Sequence, residues 1–297
     1  MTKVAINLYG LQQWFGGDFS PVPEVARQAE EIGVDMITIT DHVVMSRNTH
    51  NYPYGPFLTE PDYPWFEPIV SLSAVAAATK KAKLSTGILI SPLRSAVLLA
   101  KQLATLDHMS KGRLEIGFGV GWQKEEYDAC GVPWEGRFGQ MEEQARICKL
   151  LWTTEPASFH GKYTNFDEIY CKPFPVQKGG VPIWFGLAPT ERNWGRIVEL
   201  GCGWIPMEQD PAKLGEHIAQ LRAACKAKGR DPDSMQIRAM APMAFGASGL
   251  DWDATVAGIK AGIKAGVTTV EFVPLALCAG PQDAARAFEQ IVALKKA

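Results

Sequence analysis

The feature that most limits what this chain can fold into is its order of elements, in which a short apolar run is followed by an amphipathic stretch eight times over. The runs are Val4–Leu8, Met36–Thr40, Leu84–Ile90, Leu114–Phe118, Val181–Phe185, Gly203–Met207, Gln236–Ala241 and Thr268–Val273. Most lack strict polar and apolar alternation, which predicts strands buried on both faces, the condition of a parallel sheet. Between them, spacings of three and four mark helices: Val22, Val25, Ala26, Ala29 and Ile32 form one stripe, and Phe138, Met141, Ala145, Cys148 and Trp152 form another. Further helices are expected over Pro68–Thr79, Ala96–Met109, Glu191–Leu200, Asp253–Ala265 and Gln282–Lys295, and from Pro211 to Gly229. Ser20 before Pro21 and Asp210 before Pro211 read as helix caps, while Gly33 and Gly266 read as stops.

A doubly wound open sheet uses the same alternation. Eight evenly recurring units, with no linker and no break in composition, favour closure instead. The expectation is an α/β chain folded as a (β/α)8 TIM barrel, one domain over 1–297. The rhythm lapses only at 153–180, an insertion after the fourth βα unit with a hairpin about His160-Gly161-Lys162.

Composition narrows the function. With 297 residues, 46% of them apolar, a large core is available. Lys plus Arg is 30 against 32 for Asp plus Glu, and no basic block could follow a phosphate backbone, so nucleic acid is not an expected partner. The start of the chain enters a strand at once and no run of about 18 apolar residues occurs, so the reading is cytoplasmic, without a membrane partner. Six scattered cysteines and five histidines form neither C-x-x-C nor H-E-x-x-H, so no metal is expected.

In a parallel barrel, chemistry belongs to the loops after the C-terminal ends of the strands. Here those loops carry rings: Tyr9, Trp14 and Phe15; Tyr52, Tyr54, Phe57, Tyr63, Trp65 and Phe66; Trp122 and Tyr127. Any one ring can merely pack a loop, but together they suit a flat conjugated ligand. Trp14, Tyr54, Trp65 and Trp122 are the candidate substrate pocket. Gly186-Leu187-Ala188-Pro189-Thr190 opens a helix after the fifth strand and can hold a phosphate on backbone N–H groups, or be an ordinary βα turn. In Gly117-Phe118-Gly119-Val120-Gly121, the glycines at 119 and 121 either let a flat ring approach the backbone or relieve crowding in the barrel. As a dinucleotide fingerprint the segment lacks the right spacing. Asp41-His42 ends the second strand, where an imidazole can exchange a proton near neutral pH, or the two can form a capping pair. Arg47, Arg94 and Lys124 read as structural or solvated.

Several segments together resemble the bacterial luciferase-like flavin-dependent family, especially its coenzyme F-420 (deazaflavin) dependent branch. They are Ile39–His42, Leu84–Leu89, Leu103–Leu114, Gly117–Glu126 and Pro182–Gly186. The resemblance implies that His42 faces the reactive edge of FMN or the deazaflavin; Asp41 beside it is the candidate to orient it. The resemblance also implies a non-proline cis bulge at Gly87-Ile88 under the ring, and a phosphate site at Gly186–Thr190. Sugar-phosphate dehydrogenases of the family place an acidic glutamate where this chain has Trp122, which points away from that substrate and toward an apolar or aromatic one. The implied activity is hydride transfer to or from such a molecule, or its monooxygenation, in a possible homodimer. The rival readings are an NAD(P)-dependent dehydrogenase on an open sheet and a non-catalytic flavin-binding barrel.

Overall fold

The computed structural model describes residues 2–57, 59–247 and 249–296. In chain order its strands and helices are β1 (Lys3–Asn7), α1 (Val22–Ile32), β2 (Met36–Ile39), α2 (Pro68–Ala78), β3 (Lys83–Thr86), β4 (Leu89–Ile90), α3 (Ala96–Met109), β5 (Ile116–Gly119), α4 (Lys124–Ala129), α5 (Arg137–Leu151), β6 (Ala157–His160), β7 (Asn165–Ile169), β8 (Ile183–Phe185), α6 (Glu191–Leu200), β9 (Gly203–Trp204), α7 (Pro211–Ala227), β10 (Gln236–Met240), β11 (Phe245–Gly246), β12 (Gly249–Leu250), α8 (Trp252–Ala265), β13 (Thr269–Phe272) and α9 (Ala284–Ala293).

The main sheet runs β3-β2-β1-β13-β10-β9-β8-β5-β4, and all of its pairings are parallel. Its two ends, β3 and β4, are successive pieces of one stave, broken at Gly87–Ile88. A parallel bridge from Leu84 to Leu114 joins β3 to the segment entering β5, so the ring closes with eight staves. The expected third strand, Leu84–Ile90, is thus two short strands. The peptide between Gly87 and Ile88 is cis, as the family resemblance implies.

β2, β5, β8 and β13 are buried along their whole length, as parallel strands walled by helices must be. Val22, Val25, Ala26 and Ala29 are the buried stripe of α1, and Gly33 stops the helix with φ 118°. Asp210 caps α7 by accepting from the N–H of Ala212, and Asp251 caps α8 through Ala254. The expected Ser20 cap is not made. Pro21 occupies the cap of α1 with no side-chain bond, because Ser20 instead gives its N–H and hydroxyl to Asp18. The insertion forms the antiparallel pair β6–β7, and Glu143 on α5 pins its turn by accepting from the N–H groups of Lys162, Tyr163 and Thr164. A second small hairpin, β11–β12, and the short α4 were not foreseen.

The segment Ser110-Lys111-Gly112-Arg113, within one of the stretches that carry the family resemblance, does structural work. Arg113 is buried and donates to the carbonyls of Ala76, Thr79, Ala82 and Ser110 and to Thr79 Oγ1. It therefore ties off the last turn of α2, whose carbonyls have no helical partner.

Gly117 marks a tight point inside the barrel. A Cβ there would stand 2.3 Å from the Thr86 carbonyl oxygen and 2.9 Å from Ile205 Cδ1. Because the first obstacle is backbone, Gly117→Ala is expected to cost about 1–3 kcal/mol. A thermal melt should show the midpoint falling by about 3–10 °C.

Candidate active site

The mouth is built where β2, β4, β5 and β8 end. His42 follows β2 and is 9% exposed, while Glu126 on α4 is fully buried. The imidazole Nδ1 lies 3.1 Å from Glu126 Oε2, and the other carboxylate oxygen accepts the N–H of Val43 at 2.6 Å. A buried carboxylate beside Nδ1 favours the proton on that nitrogen and leaves Nε2 as the unprotonated acceptor.

This geometry corrects the role expected of Asp41. Its carboxylate accepts from the N–H of Ile90 and from both terminal nitrogens of Arg94, which also reaches Glu67, so it braces β4 and not the imidazole. Consecutive residues in extended chain project to opposite sides, so neighbours in sequence are poor partners here. The partner is instead supplied by α4, from 84 residues away. The same helix region clamps the rest of the loop: Gln123 bonds the backbone of Ser46 and Asn48, and Glu125 accepts from Asn48 Nδ2.

Rings surround the dyad. Trp65 meets the His42 ring edge-on at 4.7 Å between centroids, with Phe57 at 5.9 Å and Trp122 at 6.0 Å. Trp122 continues to Tyr52, which carries Tyr54, while Trp65 continues to Tyr63 and Tyr9. Burial pushes the Tyr9 hydroxyl up to about 12, and Tyr63 beside it adds to the shift, so it stays neutral. Trp65, Trp122 and Tyr54 thus belong to one wall. Trp14 does not share a ring contact with it: it lies on the turn Leu11–Phe15 and packs against the core. Tyr127 also leaves the rim, fully buried and donating to the Val120 carbonyl.

The floor is Gly87–Ile88, half-buried at the mouth. A Cβ at Gly119 would stand 2.6 Å from Ile88 Cδ1, one at Gly186 would stand 2.5 Å from Ile88 Cγ2, and one at Gly121 3.1 Å from the Ile90 side chain. Crowding by Ile88 favours glycine at 119, and at 121 the left-handed backbone, φ 62°, does so. Beyond them, Leu187 accepts from Trp204 Nε1, Ala188 from Asn193 Nδ2, and Thr190 caps α6 through the N–H of Asn193, with Pro189 between. The loop Gly186–Thr190 is therefore held in shape at a helix N-terminus, as anion binding requires, although Glu191 adds an acid in the first turn.

Among the described residues, no group of three or more His, Cys, Asp or Glu side chains is placed to hold a metal, and no helix is long and apolar enough to cross a membrane. Several buried side-chain donors have no partner among the described residues, Trp14 Nε1 and Ser85 Oγ among them. Trp65 Nε1, Trp122 Nε1 and Ser91 Oγ are three more, and a heterocycle bearing carbonyl and ring-nitrogen acceptors fits the Ser91 hydroxyl.

The profile of the luciferase-like monooxygenase family matches residues 7–276. The chain belongs to that family. An uncharacterized Mycobacterium tuberculosis protein, Rv0953c, is 32% identical over 210 residues, covering 69% of this chain and 74% of its own. The FMNH2-dependent dimethylsulfone monooxygenase of Pseudomonas putida is 38% identical over 123 residues, 40% of this chain and 34% of that one. The coenzyme F-420 dependent tetrahydromethanopterin reductase of Methanopyrus kandleri superposes with a TM-score of 0.73 at 20% identity, covering 98% of this chain and 97% of that one. The luciferase-like barrel expected from the sequence is the fold observed, and a closed parallel ring leaves no open-sheet crevice for the rival dinucleotide reading.

Proposed function

We propose that this chain is an FMN- or F-420-dependent oxidoreductase that transfers hydride to or from, or monooxygenates, an apolar or aromatic small molecule at the barrel mouth. The observation that supports it most directly is the buried His42–Glu126 pair enclosed by Trp65, Phe57 and Trp122. When bound, the ring of the cofactor supplies the two-electron centre. Gly87–Ile88 and the orphan hydroxyl of Ser91 would receive that ring, and Gly186–Thr190 its phosphate. His42 then holds or moves a proton at Nε2, Glu126 keeps its tautomer, and the aromatic wall excludes water and binds apolar surface. The proposal includes a cytoplasmic setting, with the enzyme acting alone or as a homodimer.

Titration of the purified protein with FMN and with F-420, followed by flavin fluorescence, tests the reading: one of them should bind in the micromolar range or tighter, about −8 kcal/mol. Uptake of neither would overturn it. Trp122→Ala should raise KM for an apolar substrate about 10-fold or more, with a smaller change in kcat, because it removes an apolar wall and leaves the His42 imidazole in place. Steady-state kinetics with a series of substrates of rising hydrophobicity would show it.

A further inference from the structure

Beneath the mouth, inside the barrel, lies a charged pair that neither the aromatic wall nor the His42–Glu126 pair uses. Arg238 on β10 is fully buried, and its Nε stands 3.0 Å from Oε2 of Glu271 on β13, itself buried. The second carboxylate oxygen of Glu271 accepts from Asn7 Nδ2 at 2.8 Å and from Thr38 Oγ1 at 2.6 Å. The guanidinium gives Nη2 to the Thr86 carbonyl at 2.6 Å, sets Nη1 3.2 Å from Met36 Sδ and faces the Trp184 ring at 5.4 Å. A Cβ at Gly87 would stand 3.1 Å from Glu271 Oε1, 3.4 Å from Asn7 Nδ2 and 3.6 Å from Arg238 Nη2. Both charges are therefore pressed against the underside of the backbone that floors the mouth.

A barrel interior is ordinarily filled by branched aliphatic side chains, and exchanging a buried ion pair for apolar groups of equal volume is often neutral or stabilising. Charge at this layer is thus a poor way to gain stability. It lies instead where it can act on whatever rests on the other side of Gly87. We propose that Arg238 and Glu271 are a balanced pair of positioning residues: through the Thr86 carbonyl they fix the floor, and together they set the electrostatic potential at the redox ring above it. Arg238 favours the negative charge that such a ring acquires on reduction, and Glu271 opposes it. This inference rests on the proposed function, in which the ring lies against Gly87–Ile88.

The test is the midpoint potential of the full-length protein loaded with FMN, or with F-420 if that is the cofactor it takes up, together with the absorption spectrum and Kd. Glu271→Gln keeps an acceptor for Asn7 and Thr38 and leaves Arg238 unbalanced, so the potential should rise. Arg238→Met should lower it, and the double variant Arg238→Met/Glu271→Gln should return close to the wild-type value. A mere loosening of the floor would move both single variants in the same direction. Should Arg238→Met fail to fold, Glu271→Gln and the charge-free double variant decide the matter, the former having the higher potential. Variants that bind the cofactor with unchanged potentials, or with shifts of one sign, overturn the inference and leave the proposed function standing. Failure of the wild-type protein to bind either cofactor overturns the proposed function, and this inference with it.

Discussion

Replacing His42 with alanine should lower turnover about 10²–10⁴-fold while cofactor affinity changes little, since a positioned proton-transfer group contributes in that range. The imidazole is 9% exposed and held at Nδ1 by a fully buried carboxylate, so its removal deletes the proton site without opening the floor at Gly87–Ile88. Glu126→Gln should produce a smaller loss, about 10–100-fold, because it disturbs the tautomer and ring orientation and leaves the imidazole present. Single-turnover kinetics on the loaded protein would separate the two, and equal turnover in wild type and His42→Ala would remove His42 from the mechanism.

The second large effect concerns stability. Arg113→Ala is expected to cost about 3–5 kcal/mol, since several buried carbonyls would each be left without a donor. Four carbonyls at the end of α2 and in the turns beside it would lose a donor at once. Burial also holds the Arg113 guanidinium below its usual value, and the carbonyls around it are what make a buried cation tolerable. Thermal unfolding should begin about 10 °C lower, while protein kept folded in the cold should retain its cofactor affinity, because Arg113 closes the N-terminal side of a strand and not the mouth. A loss of cofactor affinity in the cold without a loss of stability would contradict this.

That contrast bears on what could be read from the sequence. The strand and helix rhythm was legible because parallel strands buried on both faces and helices with one apolar stripe leave different periods in the chain, as at Met36–Ile39 and Val22–Ile32. The hairpin at Ala157–Ile169 was legible from the break in that rhythm. The short α4 was not, since six residues with two acids in the first turn hold too few apolar positions to show a period. Glu126 was missed with it, although it lies within the segment that carries the family resemblance. Arg238 and Glu271 lie inside strands and belong to no motif. The available signal was the presence of a charge in a strand that must be buried on both faces, where it has to find an opposite charge. Trp14 packs against the core without a ring contact to the His42 wall, and loop membership alone does not tell which of the two a ring joins. Sequence adjacency suggested Asp41 for His42, and only the course of the backbone in space shows Arg94 and Ile90 taking that carboxylate.

The wedge formed by Ile88 between Gly119 and Gly186 has an evolutionary corollary. Three staves of the ring meet at one aliphatic side chain, with no room for so much as a methyl group on either flank. Added bulk at 119 or 186 then requires the side chain at 88 to shrink or shift, so relatives sharing this floor should couple a larger residue at either position to a smaller one at 88.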